Sequence, residues 1–413
     1  MNFDESNTND SEGIKRIVRA FRHRNYRLFF AGQFVTLVGA WIQQVALSWL
    51  VFRLTGSAFL LGLVGFVGQL PTVFLAPFAG VIADRRNRRN ILVVTQIVSM
   101  SQAIILAILV LTDNIAIWHI ICLGTLMGAV FAFDGPTRQS FVVEMVEDKA
   151  DLGNAIALNS FMFNGSRLIG PSIGGILIVA FGEGYCFLIN GIGYLAVISA
   201  LLAMRFTPRE TKTFGTHILQ ELKEGISYTL SIPPIRSILL LLGLVSLMAM
   251  PYMLLMPVVA KDVLHGGPHT LGFLMTGVGV GALIGAVYLA SRKSVKGLEK
   301  IIPIATSIFG IGLIAFSLSR VFWLSMVFIS VIGFGMMVQM VSCNTFIQTI
   351  VDDDKRGRVM SFYTMSFAGT APFGSLLAGG LASRIGAPGT LFISGVSCIV
   401  GMLIFVSRRS SFK

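Results

Sequence analysis

An arginine inside one apolar run and an aspartate at the end of another are the side chains of this 413-residue chain whose chemistry most needs an account. Arg167 stands about 12 residues into the run 154–180, so a helix rising 1.5 Å per residue places it near the run's centre. A charge there is costly in hydrocarbon and faces a cavity or a partner. In one reading the guanidinium bonds helix carbonyls or a buried polar neighbour. In the other it faces a substrate or belongs to a proton relay. Asp84 lies in Gly80-Val-Ile-Ala-Asp84-Arg85-Arg-Asn-Arg88-Arg89-Asn-Ile-Leu92, at the end of an apolar run. The carbonyl end of a helix is already partly negative, so an acid there needs partners. The flanking arginines and a neighbouring helix start can supply them. An ordinary basic loop with a stray acid is the plainer account.

Asp134 falls close to the end of a further run, 116–135, and no Asp or Glu falls in the middle of any run. The other polar residues within runs are mostly amides, among them Gln33, Gln43, Asn159, Asn164 and Gln339. Some are expected to line a cavity, others to bond between helices. Such a cavity, with a central arginine and no central acid, favours anionic or neutral amphiphiles over lipophilic cations. Met248, Met250, Met253 and Met256 offer either an adaptable wall or plain core filling. Asp352, Asp353 and Asp354 sit beside Lys355 and Arg356 on a loop, and the four cysteines lack metal-ligand spacing. No phosphate-cradling glycine motif or nucleophile–base constellation is present. The expectations are therefore no metal, no cofactor and no enzymatic activity.

The elements that position these residues are long and apolar. Apolar residues make up 54% of the chain and charged ones 13%, far from a soluble composition. Twelve runs are long enough to cross a roughly 30 Å hydrocarbon core: 29–52, 59–82, 91–111, 116–135, 154–180, 184–204, 237–259, 271–290, 301–319, 322–346, 359–383 and 389–407. The expected fold is thus an all-α polytopic membrane protein with twelve transmembrane helices. Of its 32 lysines and arginines, all but Arg53, Lys261, Arg320, Arg384 and Arg167 fall in the N-terminal segment, the even-numbered connections or the tail. The positive-inside rule then makes both termini cytoplasmic and accounts for the net charge of +12. No basic soluble domain exists to bind nucleic acid. The first thirteen residues lack the apolar core of a signal peptide, and residues 14–27 read as an interfacial helix.

The chain also reads as two halves. Gly153, Gly165, Gly170 and Gly175 recur as Gly357, Gly369, Gly374 and Gly379 at a spacing of 204, close to half its length. The expected organisation is an N-terminal tail and interfacial segment (1–28), a six-helix half (29–204), a central loop (205–235), a second six-helix half (236–407) and a short tail (408–413). Ile218, Leu219, Leu222 and Ile226 suggest a surface helix in the central loop. The basic loop's counterpart, Ala290 to Leu298, keeps its positive charge but has no acid.

The Gly80–Leu92 stretch resembles the signature loop between helices 2 and 3 of the major facilitator superfamily, with Ile82 and Asn87 as departures. Ala157-x8-Ser166-Arg167-x2-Gly170-Pro171-x2-Gly174-Gly175 resembles that superfamily's antiporter motif, with Ala157 and Ser166 replacing glycines. Phe133-Asp134-Gly135-Pro136-Thr-Arg138-Gln139, with Leu54-Thr55-Gly56-Ser57, is similar to the bacterial branch of enterobactin exporters and macrolide-efflux proteins. The resemblance implies a monomeric exporter in the bacterial inner membrane that works by alternating access and exchanges a small molecule for protons. It implies a conformational latch at Gly80, Asp84, Arg85, Arg88 and Arg89. It also implies helix packing set by Ser166, Gly170, Pro171, Gly174 and Gly175. Siderophores, macrolides and lysophospholipids are the substrate classes it leaves open, with membrane lipids as the surroundings.

Overall fold

The structure, a computed structural model, describes residues 19–146, 148–204, 229, 231–292, 294–352 and 355–409. These residues form helices and connections without a strand. Eleven of the described helical segments are long and apolar enough to cross a membrane. In hydrocarbon each backbone N–H and C=O must be bonded within its own segment, which makes helices of apolar runs this long. The outer faces are apolar too: Trp323 is 76% exposed and Phe161 67%.

The chain runs through α1 (Arg24–Thr55), α2 (Ala58–Arg85), α3 (Arg88–Leu111), α4 (Ile117–Met145), α5 (Leu152–Phe181) and α6 (Glu183–Ala203). It continues through α7 (Pro233–Met248), α8 (Pro268–Ala290), α9 (Leu298–Leu318), α10 (Phe322–Ile350), α11 (Arg356–Ala368) and α12 (Ala371–Arg409). Ser57 caps α2 by accepting from the Leu60 amide, and Asn87 caps α3 by accepting from the Asn90 amide. After α7 the chain turns through a 3-10 segment, Met250–Leu255, and ends in a π turn, Val259–Val263. Pro251 and Pro257 explain the break, since neither offers an amide hydrogen to the helix ladder. Within α12 the backbone leaves the helix at Gly386 (φ 77°, ψ 164°), a conformation that glycine adopts without a Cβ clash.

Two expectations need correction. The fourth run was expected to end near residue 135, but α4 continues to Met145, so Asp134 lies about 16 Å before its end. The acid is therefore well inside a helix. Of the expected interfacial helix, residues 14–18 lie outside the described residues. Arg19–Arg22 form a 3-10 turn docked on the start of α5 instead. There Arg19 and His23 both reach Asp151, the Ala20 amide donates to Asn154, and the Tyr26 hydroxyl donates to the Ala155 carbonyl. The suggested surface helix at 218–226 also lies outside the described residues.

The helices associate in two sets. In the first, α1 packs on α5 and α6, α3 on α4 and α6, and α2 on α4. In the second, α10 packs on α8 and α9, and α12 on α7 and α9. Between the sets, α5 meets α8 and α2 meets α12. Both crossings bring backbone against backbone. A Cβ on Gly175 would lie 2.7 Å from the Pro268 carbonyl oxygen and 3.1 Å from the Gly272 Cα. A Cβ on Gly379 would lie 2.8 Å from both the Ala58 carbonyl oxygen and the Gly62 Cα.

Candidate functional site

Arg167 occupies the middle of α5, roughly 22 Å from either end. On one side its backbone meets α8: a Cβ on Gly279 would be 3.2 Å from the Arg167 carbonyl oxygen. Its side chain lies over Trp41 of α1, with Cζ 5.9 Å from the ring centroid, a cation–π contact. The guanidinium is within electrostatic reach of Tyr252, a buried residue in the broken segment after α7. Its Nε is buried without a hydrogen-bond partner among the described residues. The site thus gathers one incompletely bonded cation, an indole face and an irregular backbone segment. Such an arrangement holds an anion or a polar aromatic group better than a cation.

The antiporter-like residues form the frame around it. Gly170 and Gly174 face α1, where added Cβ atoms would press on Trp41 and Ile42, whereas Gly175 faces α8. The Ser166 hydroxyl donates back to the Met162 carbonyl, and Ser172 hydrogen-bonds Thr276 across the α5–α8 crossing. The Pro171 carbonyl is the atom that a Cβ on Gly272 would meet.

Asp134 is built into a different place. It is buried, and it accepts from Gln96 Nε2 at 2.7 Å and Thr95 Oγ1 at 3.3 Å, both on α3. Its other oxygen pairs with Arg138 one turn on, at 2.9 Å. Tyr194 of α6 links this pair to Ser99 and Asn190. Asn190 Nδ2 donates to Gln43, which donates to Gln102 at 3.1 Å. A polar chain therefore runs through α1, α3, α4 and α6, and in it the amide of Gln43 is occupied between helices. A buried amide bonded on both sides in this way avoids the cost of an unpaired polar group.

The remaining candidates are scattered. Gln33 is buried on α1, and Asn164 donates to the Ser160 carbonyl within α5. Asn159 keeps a buried oxygen without a partner among the described residues. Gln339 on α10 is fully buried, and both its amide atoms lack partners among the described residues. The structure does not draw these residues into one cluster with Arg167. Trp41, Tyr252 and Tyr194 were missed as site residues because an aromatic residue in an apolar run reads as ordinary packing. The Asp134–Arg138 pair was visible as an i, i+4 spacing.

At the basic end, Arg88 pairs with Glu144 of α4 at 2.6 Å. Arg89 donates to the Leu201 and Leu202 carbonyls near the end of α6, where the helix dipole is negative. Asp84 and Arg85 close α2, but their side chains and Gly80 lie outside the described residues. At the opposite end Arg53 pairs with Glu183 at 2.7 Å, and Lys261 lies over Phe52, 5.4 Å from its centroid. The latter contact joins the two helix sets. Among the described residues no group of three or more His, Cys, Asp or Glu side chains is placed to hold a metal.

A family model described as "Transmembrane secretion effector" matches residues 18–411. The chain is 28% identical over 390 residues to the staphyloferrin A transporter of Staphylococcus aureus (strain NCTC 8325 / PS 47), covering 94% of this chain and 97% of the relative. It is 24% identical over 391 residues to macrolide efflux protein A of Streptococcus pyogenes, covering 92% and 95%. The fold is similar to that of the nucleoside transporter NupG, with a TM-score of 0.70 at 14% identity, covering 93% of this chain and 98% of the other.

Proposed function

Since the chain belongs to the transmembrane secretion effector family of the major facilitator superfamily and is a membrane transporter, we propose that it is a proton-coupled exporter of anionic amphiphiles of the siderophore class. Arg167 carries this reading: a cation at mid-helix, incompletely bonded and set against Trp41 beside a broken helix. Hydroxycarboxylates and catecholates present anionic oxygens to such a group and a planar or apolar body to the indole. The staphyloferrin A relative supports the same class, and the name of the macrolide-efflux relative supports the outward direction.

The halves 29–204 and 236–407 rock about the Arg167 site, with 205–235 as their link and both termini in the cytoplasm. In this scheme α11 and α12 as far as Gly386 form the eleventh span, and the rest of α12 forms the twelfth. The protein works as a monomer in the bacterial inner membrane. Asp134 carries the coupling proton and alternates between its Arg138 partner and a protonated form. Asp84, with Arg85, Arg88 and Arg89, stabilises the state closed at the basic end, as the resemblance of the loop implies.

Secretion under iron limitation tests the substrate. Cells lacking the gene should accumulate siderophore, and wild type, but not Arg167→Ala at equal expression, should restore secretion. Normal secretion by Arg167→Ala, or a macrolide-resistance phenotype without a siderophore defect, removes the reading.

A further inference from the structure

At the basic end a groove of about 420 Å³ opens between α8 and α10, beside the connection from α8 to the start of α9. Its walls are apolar, with Ala286, Leu289, Leu298 and Val341 among them, while Arg292 and Ser342 also line it. Of its four polar linings, Arg292 and Ser342 are unusual. Ser342 is fully buried and its hydroxyl has no partner among the described residues. Arg292 is anchored by one nitrogen, NH2, on the Lys296 carbonyl at 3.0 Å, while its buried Nε has no partner among the described residues. Buried donors are normally satisfied, so an unmet pair in one groove calls for an acceptor.

We propose that this groove holds an anionic phospholipid, with its phosphate on Arg292 and Ser342 and an acyl chain along the apolar wall. A phosphate oxygen supplies the acceptors that both groups need. Val287 and Ile304, exposed on α8 and α9, show that the faces of these helices are dressed for hydrocarbon. Lys296 and Lys300, exposed at the same end, add charge complementarity to an anionic headgroup. A second groove, of about 620 Å³, lies between α3 and α4 and is lined by Arg86 at the end of α2. That arginine is exposed, and its groove is the less selective of the two for a headgroup. Headgroup selection is therefore assigned to the α8–α10 groove. This rests on the membrane setting alone and not on the export reading.

The test is native mass spectrometry of the delipidated full chain in detergent, titrated with phosphatidylglycerol or phosphatidylcholine. Phosphatidylglycerol should bind more tightly than phosphatidylcholine, and Arg292→Gln should weaken it about tenfold. Ser342→Ala should weaken it in the same direction, and it serves as the test if Arg292→Gln unfolds. Arg320→Gln, a change just past the opposite end of α9, where its guanidinium bonds the Ser317 carbonyl, should leave the affinity near wild type. Equal affinity for the two lipids, or unchanged phosphatidylglycerol binding in both groove variants, overturns the proposal. Displacement of phosphatidylglycerol by millimolar inorganic phosphate alone would overturn it too, reassigning the site to the free ion.

Discussion

At the scale of single residues, two charged groups have opposite settings in the same half of the molecule. Arg167 has an indole and an electrostatic neighbour but an unmet Nε, whereas Asp134 is bonded by Gln96, Thr95 and Arg138. A paired carboxylate beside a guanidinium is close to neutral as a unit, so the uncompensated charge at mid-helix is still positive. The proposed preference for anionic substrates therefore stands with an acid inside α4. Asn in place of Asp134 keeps the shape and much of the bonding but cannot take up a proton. In proteoliposomes Asp134→Asn should abolish substrate-induced proton movement, read with a pH dye, while downhill substrate exchange persists. Normal proton movement by the variant would remove Asp134 from coupling. The mid-helix position of Arg167 was legible in the sequence because it depends only on distance along one run. Its partners were not, because Trp41 and Tyr252 come from segments far away in the chain.

At the scale of elements, α4 shows why boundaries were harder to read than the runs themselves. Residues 134–145 mix Asp, Gly, Pro, Arg, Gln, Ser and Glu, a composition that suggests a loop. The helix persists because its polar groups are satisfied from its neighbours, Asp134 by α3 and Glu144 by Arg88. Polar composition marks a loop only when such partners are missing, and partners are a tertiary fact. The broken seventh segment was open to prediction, since Pro251 and Pro257 both lie inside one apolar run. The glycine repeat was legible as a period, but its purpose was not. Gly175 and Gly379, one repeat apart, are where α5 meets the backbone of α8 and α12 that of α2. Leu at Gly175 would force α5 and α8 apart at the cost of about 1–3 kcal/mol, typical of overpacking. In Gly175→Leu a cysteine at Thr276 should react faster with a membrane-impermeant thiol reagent than the same cysteine does with Gly175 intact. Unchanged labelling together with full transport would show that the crossing is not a closure.

At the scale of the molecule, the contacts between the two helix sets define an end. The crossings at Gly175–Gly272 and Gly62–Gly379 lie toward the end that carries Arg53 and Lys261, and the Lys261–Phe52 contact lies there too. Closure at that end is one of the two states that rocking halves must visit, and it faces outward if the positive-inside rule sets the orientation. A reducible bis-thiol cross-linker between cysteines at Phe52 and Lys261 would trap it, since the ends of the two long side chains meet across the boundary, Nζ 5.4 Å from the ring centroid. The background needs Cys122→Ser, because Cys122 is exposed while Cys186, Cys343 and Cys398 are buried. With that reagent Phe52→Cys/Lys261→Cys should cross-link and stop transport, and reductant should restore it. Adding Asp84→Asn should raise the cross-linked fraction, because it weakens the state closed at the basic end and shifts the population toward the one with the outer contact. Full transport by the cross-linked protein would rule out rocking about the midplane. An unchanged cross-linked fraction in Asp84→Asn would leave the rocking scheme standing but remove Asp84 as its latch.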